Sequence, residues 1–271
     1  MPIFARYAYS SGVSPVTLLF LRFAFASPVM LALVALRRVR FPRGAALLAL
    51  IGLGGVIYVL QALCYFTALT RAPASLVALI LYLYPILVAI GAVIIYGERF
   101  TIASGIALVL ALGGAAMMIG LEKGGSAAGI ILAMAAAAIY AVYILTGTRV
   151  MRTVPSLAAA AVVICSTAVV YGGLAAVRGP AWPTNAAGWV SIAALALVST
   201  VAAIALFFAG LERVGPTTAS ILSTLEPAVA VALAAILLGE ALTLAKIAGG
   251  TLILGAVFVT ARAGARRKAP A

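Results

Sequence analysis

Glu226 is the residue whose position in this sequence most needs a chemical explanation. It lies within ILSTLEPAVAVALAAILLGE (residues 221–240), a run apolar enough to be a membrane helix, and Pro227 follows it directly. A charge at the centre of such a helix costs roughly 2.5–3.5 kcal/mol on insertion scales, so we expect the carboxylate to face the protein interior or water. It could contact a substrate or accept a proton, or it could accept hydrogen bonds at the kink that the proline causes. The sequence leaves these roles open.

Other polar and aromatic side chains share helix faces at similar spacing. Ser220, Ser223 and Glu226 are spaced i, i+3, i+6, which places them on roughly one side of a helix. Rows of tyrosine can hold helices together, or they can line a mildly polar, aromatic cavity that suits a small amphipathic molecule. Two faces of this kind are formed by Tyr58, Gln61 and Tyr65, and by Tyr140 and Tyr143.

Arg22 is the second charge inside an apolar run, LLFLRFAF. At a rise of 1.5 Å per residue it lies about 10 Å from the outer end of its helix. Two explanations are open: the side chain could snorkel to the membrane surface, or it could pair with Glu226.

Several classes of chemistry are excluded by the residues that the chain lacks. It has no His, and its five acidic residues are all Glu, so triads built on His and metal sites of His and Asp are not available. No Gly-rich phosphate loop of the Walker type occurs. We therefore expect no metal, no cofactor and no enzyme activity.

The composition is that of a polytopic helical membrane protein. Of the 271 residues 66% are hydrophobic and 8% are charged, and the mean hydropathy is +1.27. About twenty apolar residues suffice to cross a bilayer. After an N-terminal stub, residues 1–9, the sequence predicts nine full spans: 15–36, 44–69, 74–96, 101–120, 127–147, 156–177, 187–210, 216–238 and 243–262.

The basic residues indicate an orientation and do not indicate a nucleic-acid partner. They lie mostly in short gaps between the apolar runs, where the net charge of +13 follows from the positive-inside rule. If successive spans cross the membrane in alternating directions, twelve Lys and Arg residues lie on the same side as the loop RRVRFPRG and five lie on the opposite side, while Arg22 lies inside a span. This predicts a cytoplasmic C-terminus with a basic tail, residues 263–271.

Two repeats are detected when the chain is shifted by 142 residues. YFTALTRAPASLVALILYLYPILVAIGAVIIYGERFTIA (65–103) then lies over FFAGLERVGPTTASILSTLEPAVAVALAAILLGEALTLA (207–245). The informative matches are rare residues: Arg71 with Arg213, Pro85 with Pro227, Gly97–Glu98 with Gly239–Glu240, and Thr101 with Thr243. We expect Glu98 and Glu240, which follow glycine at turns, to cap the next helix.

The repeats predict the fold class, an all-α bundle of two inverted five-helix repeats, residues 1–120 and 127–262. The second repeat begins with a full span, whereas the first has only the stub, so we expect most of its first helix to be absent. Five is odd, so the repeats enter the membrane from opposite sides, as in many secondary transporters. Pro85 and Pro227 are the matched interruptions and the predicted hinges, and Tyr84 is the counterpart of Glu226.

The chain resembles the EamA family of the drug/metabolite transporter (DMT) superfamily, and the resemblance covers essentially its whole length. The stretches that carry the resemblance are SPVTLLFLRF, YFTALTRAPASLVALILYLYPILVAIGAVIIYGERFT and STLEPAVAVALAAILLGEALT. It implies a ten-helix bundle with a central cavity for small metabolites. Together with the helix faces it gives a predicted substrate site of Tyr58, Gln61, Tyr65, Tyr82, Tyr84, Tyr140, Ser220, Ser223 and Glu226, with Arg22 as a charge partner.

The predicted function is a secondary transporter in the cytoplasmic (inner) membrane that moves small organic metabolites, amino-acid-like or drug-like, by alternating access. The alternative is a non-transporting truncated copy or a membrane assembly subunit; an apolar stretch encoded in frame upstream of Met1 would favour the transporter. The expected partners are a small-molecule substrate and the lipid bilayer. The small residues of GIALVLALGGAA and GGTLILGA allow close packing within the bundle or in a homodimer.

Overall fold

Ten helices account for the part of the chain that the structure describes. The computed structural model describes residues 2–120, 125–238 and 241–268, and no β-strand occurs among them. Helices satisfy their backbone groups internally, which is what an apolar chain needs in lipid. The helices are α1 Pro2–Ser10, α2 Pro15–Leu36, α3 Ala45–Leu69, α4 Ala74–Tyr96, α5 Ile102–Ile119, α6 Ala127–Val150, α7 Ser156–Arg178, α8 Ala186–Ser223, α9 Leu225–Leu238 and α10 Leu244–Lys268.

Side-chain caps explain where several helices begin. The side chains of Ser14, Thr101 and Asn185 each accept a hydrogen bond from the backbone N–H three residues on, at the starts of α2, α5 and α8. The prediction that Glu98 caps the next helix is therefore wrong, because Thr101 holds that position. Its counterpart Glu240 lies outside the described residues.

The predicted spans are confirmed except within α8, which contains the end of one predicted span and the beginning of the next. Among the described residues, eight helices are long and apolar enough to cross a membrane. The predicted loop between 187–210 and 216–238 is reduced to one residue, Gly215, whose φ of 78° and ψ of 171° interrupt α8. Glycine tolerates this backbone conformation and Pro216 suits the first turn of the segment that follows, so a single residue is enough. The last helix also extends past the predicted end at 262, to Lys268.

Both predicted helix interruptions are present, and each precedes its proline. α4 is interrupted at Tyr82–Leu83 and resumes at Tyr84, and the break between α8 and α9 falls at Thr224. A proline ring clashes with the carbonyl four residues back and lacks an N–H to bond with it, so the helix loosens ahead of Pro85 and Pro227. Their role as hinges stays a prediction.

Two π-helical turns were not predicted from the sequence. One spans Leu53–Tyr58 in α3 and the other spans Leu197–Ala202 in α8. The 142-residue shift places the first over residues 195–200, so the two turns overlap in the repeat alignment. Such turns often occur at functional sites.

The chain divides into two compact units, and each combines parts of both repeats. The first unit is Met1–Val59 with Thr146–Arg213, and the second is Leu60–Leu145 with Val214–Ala271. In the first unit the predicted stub forms α1, which packs on the start of α8, while α2 packs on α7.

In the second unit, glycines allow α5 and α10 to approach closely. A Cβ atom added to Gly114 would lie 2.5 Å from the carbonyl oxygen of Gly249, and a Cβ added to Gly249 would lie equally close to the carbonyl of Gly114. Real Cβ atoms do not approach backbone so closely, so both positions require glycine. The small-residue faces of these helices therefore pack within the chain. A homodimer stays a prediction.

We expect Gly114→Val to destabilise the protein by about 1–3 kcal/mol, because the new side chain must push α10 away. Gly113→Val is a matched control, since no atom lies within 4 Å of a Cβ added at that neighbouring helical position. Thermal unfolding in detergent, followed by tryptophan fluorescence, should show a lower midpoint for the first variant than for the second. Equal midpoints would contradict the contact.

Candidate functional site

Glu226 lies beside three tyrosines in the second unit. It occupies the first turn of α9, and its side chain is exposed. The carboxylate is close enough to interact electrostatically with the hydroxyls of Tyr65, Tyr82 and Tyr84. A carboxylate in the first turn of a helix is stabilised by the helix dipole, so the position favours a charged group.

The tyrosine rings form a continuous row. The ring of Tyr84 packs edge-on against that of Tyr140, with centroids 4.7 Å apart, and lies 6.4 Å from the ring of Tyr82. Tyr140 in turn stacks on Tyr143 at 5.9 Å. Aromatic pairs in these arrangements contribute about 0.5–1.5 kcal/mol each. The predicted shared face of Tyr140 and Tyr143 is therefore confirmed as a ring contact.

Tyr84 connects the two helix breaks. The N–H of Thr224 donates to the carbonyl of Ile221, three residues back, whereas a regular α-helix would bond it to Ser220. The hydroxyl of Tyr84, which is 3% exposed, donates to that Ser220 carbonyl at 3.4 Å. A tyrosine from the first repeat's break thus satisfies a carbonyl released at the second repeat's break.

The serine and threonine hydroxyls near Glu226 already use their protons. Ser220 Oγ donates to the carbonyl of Thr217, Ser223 Oγ to that of Ala219, and Thr224 Oγ1 to that of Ile221. Ser220 and Thr224 are fully buried, so Ser223 is the hydroxyl among these three that can offer a ligand its oxygen lone pairs. With the Glu226 carboxylate and the faces of the tyrosine rings, the site is rich in acceptors, and such a site favours a ligand with positive charge or N–H donors.

The remaining predicted residues divide between the two units. Gln61 is buried, at 8% exposure, one turn before Tyr65 in the second unit. Tyr58 belongs to the first unit, where its ring packs edge-on against Phe23 at 5.6 Å. The structure therefore places Gln61 in the same unit as Tyr65, Tyr82, Tyr84, Tyr140, Ser220, Ser223 and Glu226, and it places Tyr58 in the other unit.

Arg22 does not snorkel, which corrects one of the two explanations offered for it. Its side chain is 5% exposed, its Nε donates to Thr200 Oγ1 at 2.5 Å, and its Nη2 donates to the carbonyl of Ser199 at 2.8 Å. Both acceptors lie in the π turn of α8, where the ladder of backbone bonds is disturbed. Pairing of Arg22 with Glu226 stays a prediction.

Sequence reasoning missed the polar groups around Arg22. Thr200 is fully buried and also donates to the carbonyl of Leu195, and Tyr171 is 1% exposed and stacks on Phe23 at 6.2 Å. The Tyr171 hydroxyl interacts electrostatically with Arg22 but has no hydrogen-bond partner within the described part of the chain. A threonine or tyrosine within an apolar helix gave no spacing signal that could have identified these residues.

Metal ligands are not clustered in the described residues. No group of three or more His, Cys, Asp or Glu occurs within 2–120, 125–238 and 241–268. Cys64 and Cys165 are free thiols, each partly buried.

Comparison with known proteins identifies relatives of the chain. The model of the EamA-like transporter family matches residues 1–120 and 127–262. A solved structure described only as a crystal structure of a protein is similar at a TM-score of 0.83 and 26% identity, over 97% of this chain and 93% of that one. In all, 29 chains of solved structures match. No curated protein matches.

We expect Thr200→Val to destabilise the protein by about 1–3 kcal/mol, because it leaves the buried Nε of Arg22 without its hydroxyl acceptor. Thr200→Ser keeps the hydroxyl and serves as the control. Thermal unfolding in detergent checks the difference. A valine variant as stable as the serine variant would show that the bond to Thr200 does not hold Arg22.

Proposed function

The chain belongs to the EamA-like transporter family, and on that premise we propose that it moves small organic molecules bearing an amine across the cytoplasmic membrane by alternating access. The family match and the apolar helices make it a multi-pass membrane transporter of the DMT type. Members of this family are transporters and not enzymes. The identity of the solute, the position of its binding site and the alternating-access cycle are parts of the proposal.

The observation that carries the proposal is the exposed carboxylate of Glu226 beside a row of buried and half-buried tyrosines. A charged side chain within a membrane span is a functional site by default, because its cost must be offset by a use. The structural alternative for Glu226 is to accept hydrogen bonds at the kink. At that kink, the hydroxyl of Tyr84 donates to the backbone of Ser220.

The chemistry of the site supports the solute class. A carboxylate attracts an ammonium group, and the faces of the tyrosine rings stabilise a cation or an apolar part of the same molecule. Ser223 presents lone pairs to N–H donors, because its own proton is bonded to the backbone carbonyl of Ala219. Amino acids and cationic amphipathic drugs share this combination of groups.

Alternating access is supported by the paired interruptions. In inverted-repeat transporters, substrate sites lie near the bilayer midplane at broken helices in corresponding positions of the two halves. Here the corresponding positions are the breaks before Pro85 and Pro227, at which the chain could bend. The bias of Lys and Arg toward one side supports a cytoplasmic C-terminus.

Uptake into proteoliposomes tests the proposal. The protein should accumulate at least one solute from a set of radiolabelled amino acids, nucleosides and cationic drugs. Glu226→Gln should lower that uptake at least tenfold, because an amide keeps the shape and loses the charge, and ion pairing with a desolvated ligand contributes more than 1.4 kcal/mol. If Glu226 also carries the coupling proton, the variant should no longer accumulate the solute under a pH difference.

Glu226→Asp is the matched control, because it keeps the charge on a shorter side chain and should retain part of the uptake. A Glu226→Gln variant that still accumulates the solute against its gradient would rule out proton coupling through this residue. Unchanged initial rates in the same variant would remove Glu226 from the site altogether.

A further inference from the structure

A hydrogen bond between a hydroxyl and a carboxylate joins the two repeats inside the second unit. Thr217 Oγ1 donates to Glu98 Oε2 at 2.6 Å. Glu98 follows α4 in the first repeat, and Thr217, at 7% exposure, lies in the first turn after the Gly215 break in the second. A bond to a charged acceptor is stronger than one between neutral groups, and a carboxylate is favoured at the start of a helical segment.

The same carboxylate lies against the break itself. A Cβ atom added to Gly215 would meet Glu98 Oε1 at 3.4 Å, and Gly215 has the positive φ that interrupts α8. One carboxylate oxygen of Glu98 thus accepts a bond from the first turn after the break, and the other points toward the space beside Gly215. Glu98, Thr217, Arg99 and Ser104 also line one small polar cavity.

Ser75 is the counterpart of Thr217 in the other repeat, and its hydroxyl lacks the corresponding bond. The 142-residue shift sets Ser75 over Thr217, and each residue lies in the first turn of a helical segment. Ser75 Oγ is buried and has no hydrogen-bond partner among the residues that the structure describes. Buried hydroxyls are normally bonded, so this orphan requires an explanation. Glu240, the counterpart of Glu98, lies outside the described residues.

We propose that the Thr217–Glu98 hydrogen bond holds one of the two states of the transport cycle and breaks in the other, where Ser75 becomes the hydroxyl that is hydrogen-bonded. This inference rests on the alternating access proposed above. Two repeats built alike reach the opposite state by exchanging their local conformations, so a contact made by one repeat is made by the other after the exchange. Thr217 and Glu98 are then positioning residues for transport, and they do not bind the solute.

Hydrogen–deuterium exchange of the full-length protein in liposomes tests this without any solute. Thr217→Val removes the donor and weakens the state that the bond holds. Exchange should become about tenfold faster or more in peptides covering residues 216–223, as expected for the loss of a bond to a charged acceptor. Because the other state gains population, exchange should become slower in peptides covering 74–81.

Ser75→Ala should act in the reverse direction. It removes the hydroxyl that is bonded in the other state, so exchange should slow at 216–223 and quicken at 74–81. Thr217→Ser keeps the donor and should leave both peptides unchanged. Faster exchange confined to 216–223 in Thr217→Val, with no change there in Ser75→Ala, would overturn the inference, because a local helix cap explains that result completely.

The uptake assay separates this inference from the proposed function. If the labelled solutes are taken up but the hydrogen–deuterium exchange effects are not reciprocal, the proposed transport function is supported. The inference that Thr217 and Ser75 are hydrogen-bonded in opposite states is then wrong. If the exchange effects are reciprocal and no labelled amino acid, nucleoside or cationic drug is taken up, the two-state contact stands and the proposed function fails.

Discussion

The constraint on which this structure depends is that a backbone carbonyl inside hydrocarbon must find a donor. Each unsatisfied group there costs several kcal/mol, so a helix can be interrupted only where another group replaces the lost bond. At Thr224 the replacement is the hydroxyl of Tyr84, which donates to the carbonyl of Ser220. The break in one repeat is therefore maintained by the residue that follows the break in the other. A substrate site at such a point can therefore include an interrupted helix whose backbone groups remain hydrogen-bonded.

The same constraint explains the buried charge in the first unit. Arg22 is stable in an apolar setting because the π turn of α8 presents the hydroxyl of Thr200 and the carbonyl of Ser199 to its guanidinium. In the matching π turn of α3, the carbonyl of Gly54 accepts a bond from Thr167 at 2.9 Å. In both cases a neighbouring helix supplies a polar side chain to a disturbed turn. The π turns are thus points where polar groups can be buried in pairs.

The sequence predicts much of this architecture because the bilayer restricts the possibilities. The lengths of the spans and the gaps between them follow from hydropathy. The positions of the two helix breaks follow from the missing N–H of Pro85 and Pro227, and the 142-residue repeat is detected from matching rare residues. The π turns were not predictable, since LGGVIY and LVSTVA read as ordinary helix. Nor was the Thr217–Glu98 bond, which joins residues 119 positions apart. The Glu226 cluster was predicted because a charged residue within a membrane span is rare. Thr200 and Tyr171 carry only a neutral hydroxyl, which is common in apolar helices and therefore did not indicate a buried polar cluster.

The proposed function requires the transported solute to bind beside the second repeat's helix break. Thiol protection tests it most directly. Ser223→Cys is introduced after Cys64 and Cys165 have been replaced by serine, and the rate of maleimide labelling is measured with and without a solute that the protein takes up. The transported solute should slow labelling in proportion to its occupancy, and a solute that is not taken up should have no effect. Labelling at the same rate in the presence of a saturating transported solute would contradict this requirement.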